Sequence, residues 1–258
     1  MKTGACRQSL ARYLTTIGIV FVAAACTGTP DRSSAPLTAL PTTPAISSSQ
    51  AATSTPTTSP TIEPPTSRRI AGRVLGSGTF PGYSVQAPDG WFTSDGFFVV
   101  KSSGSVIGLS VWDVTQVPRD PCLWEGQLDD PGPTVDDLVE ALVAQRRRNA
   151  TTPTDVTVAG YHGRYLEWSV PDDMVVTGDA DFEGCSIEPS NGHRDFISWL
   201  SSSGGSRYQQ VAGQVDRLWV LDVDGQRLVV DATYSPGTTM VDRAELGQVA
   251  ESLRFENP

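Results

Sequence analysis

The chain has 258 residues, with 29 Asp and Glu against 19 Lys and Arg, a formal charge of −10. Lys2, Arg7 and Arg12 sit in a leading segment without acids, so its removal takes the balance from −10 to −13. Such a surface disfavours nucleic acid and anionic lipid headgroups, both of which reward Lys and Arg. Once the low-complexity start is set aside, about 190 residues remain, enough for one sizeable core.

Residues 1–12 are basic, and 13–25 form a mostly apolar run that closes on small residues. A bilayer span needs about 20 apolar residues, so this run suits the apolar segment of a signal peptide instead. Val22-Ala23-Ala24-Ala25-Cys26 resembles a bacterial lipobox, in which small residues precede a cysteine that is acylated and becomes the new N-terminus. Ala23 departs from that pattern, where Leu or Val is usual. The expectation is a signal peptide over 1–25 and lipidation, palmitate included, at Cys26. Ordinary secretion with cleavage near Ala25 is the alternative. Acylation would make the protein anchored to the membrane's outer face rather than spanning it.

With Cys6 in the signal and Cys26 acylated, Cys122 and Cys185 remain. Two cysteines in an oxidising compartment most simply pair. Redox catalysis would prefer Cys-x-x-Cys, and zinc would need more ligands than two cysteines and the chain's two histidines supply.

Residues 26–68 are nearly all Thr, Pro, Ser and Ala, too poor in apolar surface to offset ordering entropy. They read as a disordered tether, semi-stiff from proline and a candidate for glycosylation. A single globular domain is expected over 69–258. Tyr83–Ala87 alternates and stops at the turn signal Pro88-Asp89-Gly90, with Trp91 after it. Phe97–Lys101 and Val106–Val114 read as the next strands.

The period then changes. Thr134-Val135-Asp136-Asp137 is a capping signature, and Val135, Leu138, Val139, Leu142 and Val143 make one apolar helical stripe. Arg146, Arg147 and Arg148 follow, read as cations complementing the helix dipole in solvent, with a phosphate or headgroup site as the rival reading. Residues 155–170 return to strand character with a bend at Gly160. Residues 175–193 are acidic and loop-like, and Phe196–Leu200 is a short strand.

Asp224-Gly225 is the pair that a type I′ hairpin turn prefers, because both central residues need positive φ. Counting back pairs Val223 with Gln226, Asp222 with Arg227, Leu221 with Leu228, and Trp219 with Val230. Trp219, Leu221, Val223, Leu228, Val230 and Ala232 then share the core face, and Asp222 and Arg227 become an ion pair on the other. A last helix spans 241–253, its stripe Leu246, Val249, Ala250 and Leu253, capped by Thr239 or Asp242.

Strands, helix, strands, hairpin, helix is the order of an α+β domain, a mostly antiparallel sheet with helices packed on it. The opening Tyr83-Ser84-Val85-Gln86-Ala87-Pro88-Asp89-Gly90-Trp91, the 218–234 hairpin and the 244–255 helix resemble the opening and closing elements of PsbP-like domains. The mycobacterial LpqN-type lipoproteins share that α/β/α sandwich. Only Lys2 and Lys101 are lysines, and Ala, Gly, Pro and Val are abundant, the usage of a GC-rich genome such as an actinobacterium's. The resemblance implies an actinobacterial cell-envelope lipoprotein with an accessory or binding role, and it carries over no ligand contact. Cys122 and Cys185 are not part of the family's shared pattern.

Chemistry-bearing motifs are sparse. Gly104-Ser105-Val106-Ile107-Gly108 only imitates the hydrolase nucleophile elbow, lacking Gly two residues after the serine. His162 and His193 stand as isolated candidate bases. The acids of 172–183 lack the spaced ligands of a calcium loop, and no phosphate loop or dinucleotide fingerprint is present, so neither metal nor cofactor is expected. Of six tryptophans, Trp168 and Trp219 fit the core by alternation. Trp112 and Trp124 find no place and are candidates for an exposed patch. The expected function is a non-catalytic, lipid-anchored extracytoplasmic binding or accessory module, its partner an envelope protein or a small apolar ligand and not nucleic acid. The alternatives are an envelope hydrolase with an unrecognised site and a sensor lipoprotein for a membrane partner.

Overall fold

The computed structural model describes residues 66–78, 80 and 82–256. The expected signal peptide, Cys26 and the tether up to residue 65 lie outside the described residues. Strand β1 (Ser67–Gly72) begins inside the stretch assigned to the tether, because Ile70 faces the core opposite Val85 of β2 (Tyr83–Pro88) and draws its neighbours into the pairing. Gly90, at φ 90°, turns the chain into β3 (Trp91–Ser94), which pairs with β4 (Phe98–Lys101). The single strand expected over Val106–Val114 is two: β5 (Ile107–Trp112) and β6 (Val114–Pro118). They part at Asp113 because the backbone of Leu75 bonds to both Val111 and Asp113, at 2.8 Å each, and β6 leaves for another sheet.

After the short β7 (Leu128–Asp129) comes α1 (Val135–Val143). Thr134 Oγ1 accepts from the Asp137 amide at 3.1 Å and Asp137 Oδ2 accepts from the Thr134 amide at 2.9 Å, a reciprocal capping box. Next are β8 (Asn149–Ala150), β9 (Thr154–Val158) and β10 (Tyr161–Ser169). The bend expected at Gly160 is a full reversal, with Ala159 at φ 53° and Gly160 at φ 90°, and it folds β9 back on β10. The acidic segment holds β11 (Val176–Thr177) and β12 (Asp181–Phe182). Then follow β13 (Ile197–Ser201), β14 (Ser206–Tyr208), β15 (Val215–Val223), β16 (Gln226–Tyr234), α2 (Met240–Glu251) and β17 (Arg254–Phe255).

The main sheet runs β3-β4-β5-β16-β15-β10-β8, with β9 on β10, and its strand pairs are antiparallel. Smaller sheets are β1-β2-β17, β14-β13-β6-β7 and β11-β12. The β15–β16 register agrees with the turn chemistry, Val223 opposite Gln226 and Leu221 opposite Leu228, around Asp224 and Gly225 at φ 52° and 83°.

The hairpin nonetheless has two core faces. Leu221, Val223, Leu228, Val230 and Ala232 pack with Leu246, Val249, Ala250 and Leu253 of the α2 segment. Leu218, Val220 and Val229, on the opposite face, pack with Leu138, Val139 and Leu142 of α1 and with Trp112, Trp168 and Trp199. The expected Asp222–Arg227 ion pair is not made, although the two are cross-strand neighbours. Arg227 turns to carbonyl oxygens at the start of α1, Gly132 and Thr134, and to Val114 at 2.8 Å. A third cluster surrounds the Cys122–Cys185 disulfide with Val170, Phe182 and Phe196.

Candidate functional site

Of the arginine triplet after α1, Arg146 is exposed as expected, but Arg147 and Arg148 are taken up by the fold. Arg147, at φ 56°, turns its guanidinium onto Asp120 at 3.0 Å, and Asp120 Oδ1 also accepts the Cys122 amide at 3.0 Å. The side chain of Arg148 is fully buried, 4.2 Å above the Trp168 ring and 4.7 Å from that of Phe196. Its Nη2 donates to Ser198 Oγ at 2.5 Å, and its Nη1 lies 3.9 Å from Asp216 Oδ2.

Asp216 is the hub of this interior cluster. It accepts from Arg207 Nη2, Gln209 Nε2 and Trp168 Nε1 at 2.9 Å each and from Gln214 Nε2 at 3.3 Å. Arg207 Nε also donates to Asp231 at 2.5 Å. Burial alone would raise Asp216, but Arg207 and Arg148 outweigh it and hold the carboxyl below its ordinary range. Burial wins at Asp231, pushing it up to about 7 against the pull of Arg207. Burial likewise lowers Arg148, to about 9. The cluster fastens β13 and β14 to the main sheet. Its closed interior suits a structural joint rather than a binding surface.

The remaining candidates scatter. His162 Nδ1 lies 3.0 Å from Thr157 Oγ1 on an exposed edge, and His193 Nδ1 lies 3.1 Å from the Asp179 carbonyl, so the structure does not bring the two together. Asp181 is taken by Arg194, whose guanidinium and amide hold it well below the usual carboxylate range. Among the described residues no group of three His, Cys, Asp or Glu side chains is placed to hold a metal ion. Trp112 is buried, and Trp124 is half-buried with its indole donating to the Asp195 carbonyl at 3.1 Å, so neither makes the exposed patch. Between α1 and β6–β7 a surface hollow of about 300 Å³ is lined by Val117, Arg119, Asp129, Ala141 and Arg146. Cys122 and Cys185 are joined, the bond of an oxidising compartment, while Cys26 lies outside the described residues. No described helix is long and apolar enough to cross a membrane.

One half-exposed surface combines aromatic faces with unmatched polar groups. On the α2 side of the main sheet, β10 sets Tyr165 and Glu167 opposite Trp219 and Arg217 of β15. The Tyr165 and Trp219 rings lie 5.2 Å apart at 45°. The Tyr165 hydroxyl donates to Glu167 Oε1, and Arg217 Nε lies 3.2 Å from the same oxygen but off the line for a hydrogen bond. Burial, then Glu167, pushes the phenol above its ordinary range and keeps it a proton donor. The Glu167 and Arg217 side chains remain 34% and 28% exposed. Tyr234 lies between two guanidinium groups, with Arg217 at 5.3 Å and Arg243 of α2 at 4.5 Å from its ring centre. Trp219 was expected on the core face, and it does pack against that core while staying part-exposed; Tyr165, Glu167 and Arg217 were not singled out. The available signal was a Tyr-x-Glu strand answering an Arg-x-Trp strand.

No protein-family model matches the chain, and no curated protein does. Among solved structures it is similar to the solution structure of cyanobacterial PsbP (CyanoP) from a Synechocystis species, at 14% identity and a TM-score of 0.34. The match covers 76% of this chain and 96% of that one.

Proposed function

We propose that this chain is a non-catalytic binding or accessory module of the bacterial cell envelope, lipid-anchored at Cys26 and held on the extracytoplasmic face, its domain a PsbP-like α/β/α sandwich. The observation that carries the binding role is the Tyr165–Trp219–Glu167–Arg217 surface. Aromatic side chains, a carboxylate and a guanidinium stand together there, part in solvent. The Cys122–Cys185 disulfide supports export. The lipobox-like Val22–Cys26 segment supports acylation.

The anchor is tested by mass spectrometry of the mature N-terminus from native membranes. A diacylglyceryl cysteine at position 26, and release of the Cys26→Ser protein into the medium, are expected. A mature end elsewhere, or one without lipid, overturns the anchor. Binding is tested by crosslinking the full chain in its own envelope through a probe on the Trp219 surface. Recovery of nothing above a probe placed at exposed Asp89 overturns it.

A further inference from the structure

The flank of α2 extends the half-exposed surface into a trough. Phe255, just beyond α2, meets Tyr161 near the hairpin turn at 5.6 Å, whereas Arg243 in the first turns of α2 covers Tyr234 at the far end of β16. The helix therefore runs antiparallel to β16, packed chiefly on β2 and β5 with one flank toward β16. Gly247 is one turn on from Arg243 on the same flank. One turn is about 6 Å, the advance of two strand residues, so Gly247 stands level with Ala232, whose neighbour across the sheet is Arg217. A β-carbon on Gly247 would meet nothing within 4 Å. A bare backbone on this flank of α2 leaves the space toward β15 open.

From Tyr234 to the level of Trp219 the floor runs about 13 Å. Tyr165 and Trp219 are part-exposed on it, their rings 5.2 Å apart, with hydrogen-bonding groups beside them. Trp219 Nε1, Glu167 Oε2 and the terminal nitrogens of Arg217 have no hydrogen-bond partner among the described residues, and Arg217 Nε is buried with none. A carboxylate and a guanidinium side by side accept from and donate to neighbouring hydroxyls, and an aromatic face takes the C–H side of a pyranose ring. A purely apolar ligand would leave these groups stripped of water without replacement.

We infer that the trough between α2 and β10–β15 binds an oligosaccharide, its sugar rings against Trp219 and Tyr165 and its hydroxyls on Glu167 and Arg217. This rests on the binding-module reading and supplies its ligand class. Full-length protein is titrated with N-acetylchitotetraose, maltotetraose and mannotetraose by calorimetry. At least one sugar binds, and Glu167→Gln and Gly247→Leu each weaken it tenfold or more. Gly247→Leu places a side chain in open space, so unchanged thermal unfolding separates blockage from misfolding. In parallel, Gly247→Cys carrying a benzophenone is irradiated in the native envelope. A captured glycan supports the inference. A captured protein with no sugar titrating overturns the ligand class and leaves a binding module, whereas capture of nothing overturns both. Equal sugar affinity in the wild-type and Gly247→Leu proteins also overturns the trough.

Discussion

Replacing Asp216 tests whether the interior charge cluster holds the domain together. Asp216→Ala leaves Arg148 and Arg207 buried with Asp231 as their one remaining acid, and that acid is held near neutrality by burial. Four side-chain donors also lose an acceptor: Arg207, Gln209 and Gln214 keep others, whereas the Trp168 indole is left with none among the described residues. Breaking a buried ion pair from one side costs about 3–5 kcal/mol, against a total stability of roughly 5–15 kcal/mol for a domain. The substitution should therefore remove about a fifth of the folding free energy at the least. Arg148→Met is the control. It deletes a cation whose Nε and Nη1 make no hydrogen bond, keeps a chain that can lie on Trp168 and Phe196, and leaves Arg207 facing both acids. Arg207, the closer cation, still pairs with both acids, so the cost of Arg148→Met should be the smaller of the two. Urea unfolding followed by tryptophan fluorescence, with the disulfide intact, measures both, and an unchanged denaturant slope assigns the difference to stability. If Asp216→Ala falls within 1 kcal/mol of wild type, or Arg148→Met costs as much, the cluster is not a charge-balanced joint.

The raised Asp231 carboxyl predicts a pH slope. The folded state keeps a proton that the unfolded chain releases above about pH 4, so this group's contribution falls as pH rises from there through about 7, by roughly 4 kcal/mol in all. Asp231→Asn should flatten that part of the stability profile, and a wild-type profile without the decline refutes the assignment. Gly163→Ala should be severely destabilising, because its β-carbon would run into the Val220 carbonyl oxygen and come within 2.9 Å of Leu221 Cα. Such backbone overpacking costs about 3 kcal/mol or more, and a melting temperature within a few degrees of wild type would contradict it. Replacing both Cys122 and Cys185 with serine opens a loop closed across 63 residues, for a loss of about 4 kcal/mol on loop-closure entropy. Chemical denaturation of the double variant measures it.

Local chemistry was legible wherever a few neighbouring residues decide the backbone. The Thr134–Asp137 capping box and the β15–β16 register around Asp224-Gly225 follow from hydrogen bonds and φ preferences within a short span, and the folded chain keeps them. The second core face of the hairpin was legible too, in the unbroken runs Leu218–Leu221 and Leu228–Val230, which suit strands covered on both sides. Alternation counted from one face hides it. Asp216 and Asp231 flank those runs, but their partners come from elsewhere in the chain. Arg148 follows α1 and Arg207 lies on β14, so only tertiary contact turns two odd strand acids and a terminal arginine triplet into one buried cluster.

Composition and the Val22–Cys26 pattern determined by themselves the expectation of export, tether and anchor, because such segments act as linear signals. The trough had no such signature. Tyr165, Glu167, Arg217, Trp219 and Gly247 come from two strands and a helix, and antiparallel pairing and the return path of α2 decided which of their faces stay open. Hydrogen bonding along the backbone acts over a few residues and can be read in order. Burial is a property of surfaces that meet from distant parts of the chain, and it exists only once the chain has folded.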